Sequence, residues 1–164
     1  MTMSQQLGVE IGVAHTTPKH ALGAIYTSPA SGVTIGTTYM YLQADGAVTT
    51  ALFYTYNEVT GQIEDTLEVA VHPADGKTKP LCVSPLTLAD NEYAWVVIGP
   101  GVFTATSAEA LDVDDVLYGH ATVGTVADTA SACFVPGVTV QTAIGSATTG
   151  TFVAHNRMNA YDLP

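Results

Sequence analysis

Basic residues are nearly missing from this sequence. Lys19, Lys77, Lys79 and Arg157 are the entire supply among 164 residues, against 15 acids, for a net charge of −11. Phosphate neutralisation needs several clustered Lys or Arg side chains, so direct binding to nucleic acid is excluded, and a polybasic contact with anionic lipid fails for the same reason. Long apolar runs are absent as well, and with them a membrane-spanning helix, which needs about 20 consecutive apolar residues. The opening stretch MTMSQQLGVEIGVAH has no basic segment followed by an apolar one, so no secretory signal is expected. Only two cysteines occur, Cys82 and Cys133. In a chain this long they read as buried thiols, with a disulfide between them as the alternative, and the redox compartment stays undecided.

What the sequence does hold is apolar and β-branched. Hydrophobic residues make up 47% of it, too many for a disordered chain. Its length suits one domain. Thr (24) and Val (19) dominate with 15 Gly, while Leu, Lys, Glu and Arg are scarce, which points to an all-β fold. Short alternating or apolar runs fall at 38–44, 51–56, 66–71, 93–98, 116–120, 132–135, 138–143 and 151–155. Turn pairs such as Asp45-Gly46, Thr60-Gly61, Asp75-Gly76, Pro136-Gly137 and Gly145-Ser146, and the Gly99-Pro100-Gly101 triplet, separate them. Only Ser107 to Leu111 (SAEAL) offers a helical turn.

One internal echo stands out. Thr38-Tyr39-Met40-Tyr41-Leu42, followed by Asp45-Gly46-Ala47-Val48, is matched by Glu92-Tyr93-Ala94-Trp95-Val96, followed by Gly99-Pro100-Gly101-Val102. Leu52-Phe53-Tyr54 then corresponds to Val116-Leu117-Tyr118. The expectation is an internal duplication, 36–70 and 90–130, forming two related β-units that pack face to face in one barrel or sandwich, because a lone three-stranded sheet cannot cover its apolar face. Residues 1–21 read as an extended N-terminal arm ahead of a β-rich domain over 22–164. The arm's short alternating stretch Leu7, Val9, Ile11 and Val13 is the candidate contact with a neighbouring subunit or partner, and an edge strand of the same domain is the alternative.

Reactive constellations are hard to assemble. His15 and His20 stand five apart and the cysteines stand alone, so no metal motif is read, and the two histidines are taken as surface residues of the arm. No G-x-S-x-G elbow or phosphate-binding glycine motif occurs. Ser84, His120 and Asp128 form a triad only on paper. The acids Asp112, Asp114 and Asp115 lack the spaced ligands of a calcium loop and read as a solvated turn. Tyr39, Tyr41, Tyr54, Tyr56, Tyr93 and Trp95 alternate along strands and share faces in pairs. They are expected in the core or at a subunit interface, with a sugar-stacking platform as the alternative.

The order of three segments carries a resemblance: Leu22-Gly23-Ala24-Ile25-Tyr26, then Gly36-Thr37-Thr38-Tyr39-Met40-Tyr41-Leu42-Gln43-Ala44, then Asn91 through Val102. It continues through Val113-Asp114-Asp115-Val116-Leu117-Tyr118, Thr122 to Asp128, Ala143-Ile144-Gly145 and Val153-Ala154-His155-Asn156. This pattern of strand and glycine placement over 22–157 resembles the capsid decoration, or cement, proteins of tailed bacteriophages. The resemblance implies a β-rich subunit, commonly a homotrimer, made in the host cytoplasm and bound to the major capsid protein on the outer surface of the assembled head. It implies no catalytic residues, cofactor or metal. A glycan- or receptor-binding head-fibre or tail component is the alternative, and a small hydrolase using His120 with Asp128 comes last.

Overall fold

The computed structural model describes residues 8–29, 36–67, 78–131 and 133–162. They form thirteen strands and no helix. The strands are β1 (Ile25–Thr27), β2 (Thr38–Ala44), β3 (Phe53–Asn57), β4 (Gln62–Thr66), β5 (Lys79–Val83), β6 (Tyr93–Val97), β7 (Gly101–Thr106), β8 (Leu117–Gly119), β9 (Val126–Ala127), β10 (Cys133–Val135), β11 (Val138–Val140), β12 (Thr149–Ala154) and β13 (Asn159–Asp162). The fold is all-β, as composition predicts.

Five of these strands close on themselves. β2 pairs with β4, β4 with β3, β3 with β5, β5 with β6, and β6 returns to β2, so none of the five is left with a bare edge along its whole length. Alternation along the strands fills the barrel: Met40, Leu42 and Ala44 from β2, Tyr54 and Tyr56 from β3, Ile63 from β4, Cys82 from β5, and Ala94 and Val96 from β6 share one buried cluster. The intervening residues point outward and are mostly buried too. Phe53, Leu81, Val83 and Val97 face a second core, which they share with the sheet β11-β12-β7 and with the extension β13-β10-β8-β9. Phe53, Phe103 and Phe152 meet there with ring centroids about 6 Å apart. A barrel wall buried on both faces explains why all four residues from Phe53 to Tyr56, Thr55 included, are buried.

The third cluster lies on the outer face of β2 and β6. Tyr41 stands opposite Trp95 in the antiparallel ladder, and residues 8–26 cover both rings. His15 and Tyr93 exchange two backbone hydrogen bonds of 2.9 Å, so the N-terminal segment supplies the pairing that Tyr93 lacks on the side away from Gln43. Lys19 N–H donates to the Tyr41 hydroxyl at 3.1 Å, and β1 pairs with β2. Residues 8–21 therefore pack on the domain of their own chain.

Two expectations change. The first strands of the proposed duplicate units, β2 and β6, lie side by side in one barrel rather than face to face, and their second strands part company: β3 belongs to the barrel and β8 to the extension. Ser107 to Leu111 makes no helical turn. The Ser107 hydroxyl, buried, donates to the Glu109 carbonyl and accepts from Glu109 N–H, and Leu111 bridges to Ile144, which holds the segment as a connector between strands. The run expected over 66–71 is described only through Leu67.

Candidate functional site

The candidate contact residues of the arm separate. Leu7 lies outside the described residues. Val9 is buried against Tyr41 and Trp95, with Ile11 packed beside them, because the segment is held down by the His15–Tyr93 bridge. Val13 is 43% exposed. Farther along the same segment Leu22 (40%) and Ile25 (61%) also present apolar surface to solvent. Val9 is thus closed off from a partner, while Glu10, Val13, Leu22 and Ile25 present side chains to solvent.

The histidines are placed differently from the expectation of an exposed arm. His15 is buried, with Nε2 3.9 Å from Glu10 Oε2 and no hydrogen-bond partner. His20 packs its ring on Tyr41 and Trp95, at centroid distances of 5.0 and 5.1 Å. Aromatic packing against β2 and β6 draws both rings inward. Among the described residues no three His, Cys, Asp or Glu side chains gather as metal ligands.

The paper triad is not assembled. The Ser84 hydroxyl is buried and donates to Leu86 O at 2.5 Å, while His120 Nδ1 accepts from Thr122 N–H at 2.9 Å. Asp128 instead neighbours Glu109, whose carboxylate accepts from the backbone N–H groups of Asp128 and Thr129, both at 3.1 Å, and from the Thr129 hydroxyl at 3.0 Å. Those donors, led by the Thr129 backbone, hold the Glu109 carboxyl below its ordinary range, and the Glu109 side chain beside it holds Asp128 above its own. This is a loop clamp. Asp115 likewise caps its own turn by accepting from Asp112 N–H at 2.6 Å. The cysteines lie in different cores and no disulfide joins them, and burial pushes the Cys82 thiol far up.

A cavity of about 420 Å³ lies on the outer barrel wall. Tyr39, Ala51, Val83, Val97, Val102 and Phe103 shape it, and no acid, amine, imidazole or thiol lines it. It offers a place to fill, not a place for proton transfer.

The paired rings are largely inside. Tyr41 and Trp95 lie beneath the N-terminal segment, and Tyr54 and Tyr56 fill the barrel. The Tyr54 hydroxyl accepts from Thr49 N–H at 2.7 Å, and the Tyr56 hydroxyl accepts from Arg157 Nε at 3.0 Å and Nη2 at 2.5 Å. None of these four rings can stack on a sugar. Less buried rings lie on the extension: Tyr161 is exposed, and Tyr118 and Phe134 are half-buried. Phe134 of β10 sits directly opposite Tyr118 of β8 on one side and Tyr161 of β13 on the other, and residues paired across strands share a face. Leu117, Cys133, Val135 and Ala160 point the other way into the core, so the three rings face outward. Tyr118 and Phe134 are 5.6 Å apart and tilted by 43°, Tyr161 is 40% exposed, and Val116, two residues before Tyr118, is 53% exposed. The sequence reading missed this strip: ACFV reads as a plain apolar run, and Tyr161 stands in a tail with no alternating pattern. Val116-x-Tyr118 was its one legible sign.

No known family model matches the sequence, and none of the curated proteins matches it either.

Proposed function

We propose that this protein is a structural, non-enzymatic decoration protein of a tailed-phage head, which binds the major capsid protein on the outer surface of the assembled shell as a homotrimer and stabilises the shell against internal DNA pressure. The observation that carries this reading is the presence of apolar surface toward both ends of the strand order, on the N-terminal side of the closed barrel and on the extension beyond it. Val13, Leu22 and Ile25 lie on the N-terminal segment and β1, at one end of the strand order. Val116, Tyr118, Phe134 and Tyr161 lie on the extension toward the other. A clasp needs two such areas held apart by a stiff body, so that pulling the shell open must break contacts at both.

The order of segments that resembles the decoration proteins supports the same reading. So does the charge: at −11 the subunits repel one another in solution and have no affinity for the packaged genome. A protein that binds the assembled lattice and not its dispersed subunits stabilises the lattice by mass action, and several copies linked in a trimer add avidity without a large interface per copy.

The test is co-sedimentation of the purified protein with expanded, DNA-free heads assembled without it. The reading predicts saturable binding to heads and none to dispersed capsid subunits. Protein left entirely in the supernatant would end it.

A further inference from the structure

We propose that the outward strip of Val116, Tyr118, Phe134 and Tyr161 is the surface that docks onto a protein partner with an apolar centre and a basic rim. On the decoration reading, on which this inference rests, that partner is a capsid subunit. Three aromatic side chains lie side by side on adjacent strands and point away from the core, Tyr161 exposed and Tyr118 and Phe134 half-buried, although each of the strands carrying them has an inward face already packed in the core. The strip is therefore not needed to hold β8, β10 and β13 in place. Contiguous exposed apolar surface of this kind marks an interaction site, and Tyr in particular is enriched where interfaces are strongest.

The chemistry of the surroundings selects the partner. A cleft of about 110 Å³ opens beside Phe134, between the turn carrying Asp114, Asp115 and Val116 and the β10–β11 hairpin with Pro136. Its floor is apolar and its rim is acidic, which suits a Lys or Arg side chain laid with its stem on Phe134 and Pro136 and its charged head toward the carboxylates. A second copy of this chain is a poor occupant. It carries four basic residues in all, and Arg157 is already held by Glu58 at 2.7 Å and by Tyr56. The 43° tilt between Tyr118 and Phe134 also breaks the flat platform that sugar stacking favours, and leaves gaps suited to protein side chains.

The experiment titrates DNA-free heads with the wild type, with the double variant Val116→Ser/Tyr161→Ala and with Asp114→Asn, which removes one carboxylate of the rim at a position whose φ of +70° an Asn tolerates, at low and high salt. All three substituted side chains are exposed, and Trp95 emission reports whether each variant keeps its fold. The expected result is at least tenfold weaker binding by the double variant, weaker binding by Asp114→Asn, and a wild-type affinity that falls as salt screens the acidic rim. Wild-type affinity in the double variant would overturn the inference while leaving the decoration reading intact. A double variant that loses its trimeric state yet binds heads normally would also overturn it, by assigning the strip to contacts between copies. No binding by the wild type would remove the decoration reading and this inference together.

Discussion

At the scale of single residues, Tyr56 and Arg157 show which contacts hold the barrel. The Arg157 guanidinium lies over the Tyr56 ring, donates twice to its hydroxyl and meets Glu58 at the surface. The ion pair is half in solvent and contributes about 0–1 kcal/mol, whereas a buried hydroxyl stripped of its partner costs about 1–3 kcal/mol. Arg157→Met should therefore lower stability by about 1–3 kcal/mol in urea unfolding, and Glu58→Gln by less than about 1 kcal/mol. Equal losses would mean that the ion pair, not the phenol, is what matters. Burial also pushes the Tyr56 phenol up to about 12, despite Arg157, and raises Tyr39 and Tyr41. Groups whose folded values lie above the unfolded one lend stability that is complete below the unfolded value and fades as pH climbs through the folded one. The melting temperature should thus be insensitive to tyrosine ionisation up to about pH 10 and fall steeply from there to about pH 12. Ionisation of all eight tyrosines together near pH 10 in the folded protein would contradict the burial of these three rings.

At the scale of elements, the N-terminal segment packs on the domain of its own chain. Val9 seals Tyr41 and Trp95, and burying a valine is worth about 1.5–3 kcal/mol. Deleting residues 1–14 should leave the barrel folded by far-ultraviolet circular dichroism, lower the melting temperature, and shift the emission of the single tryptophan, Trp95, to the red. Unchanged Trp95 emission would show that the segment does not cover the ring in solution. Gly101 ties β7 to the same side of the molecule. Its φ is +139°, and a Cβ there would run into Thr37, whose hydroxyl donates to Val102 O at 2.9 Å. Gly101→Ala should cost about 1–3 kcal/mol from backbone conformation alone, read as a lower urea midpoint.

Elements also show what was legible in the sequence. TYMYLQA announced β2 to the residue, and YAWVVI announced β6, because each alternates around a barrel wall. β4 escaped notice because Ile63 is its only residue in the barrel core, so QIEDT has no apolar period, and β5 was masked by Pro80. The turns before β3, before β6 and before β8 share a form that composition hides. Ala51, Asn91 and Asp114, all with φ between +61° and +70°, each fall three residues after a bridging apolar residue, Val48, Leu88 and Leu111. Only the Asn and the Asp signal that conformation. The candidate site was the least readable part. The buried His15 and the outward ring strip both depend on which strands become neighbours, and no local pattern encodes that.

At the scale of the whole molecule, one buried cluster fills the closed barrel and two more pack on the outside of its wall, while the Glu109 carboxylate, bonded to the backbone of Asp128 and Thr129, and the Arg157–Glu58 pair tie loops down. We propose that such a body lends rigidity to the shell it binds. The central claim is that it does so on a phage head, and the most direct measurement is the temperature at which DNA-filled heads release their genome, with and without the protein. Heads lacking it should open at a lower temperature and regain the higher one when the purified protein is added back. Identical release temperatures in both preparations, with the protein bound, would contradict the account.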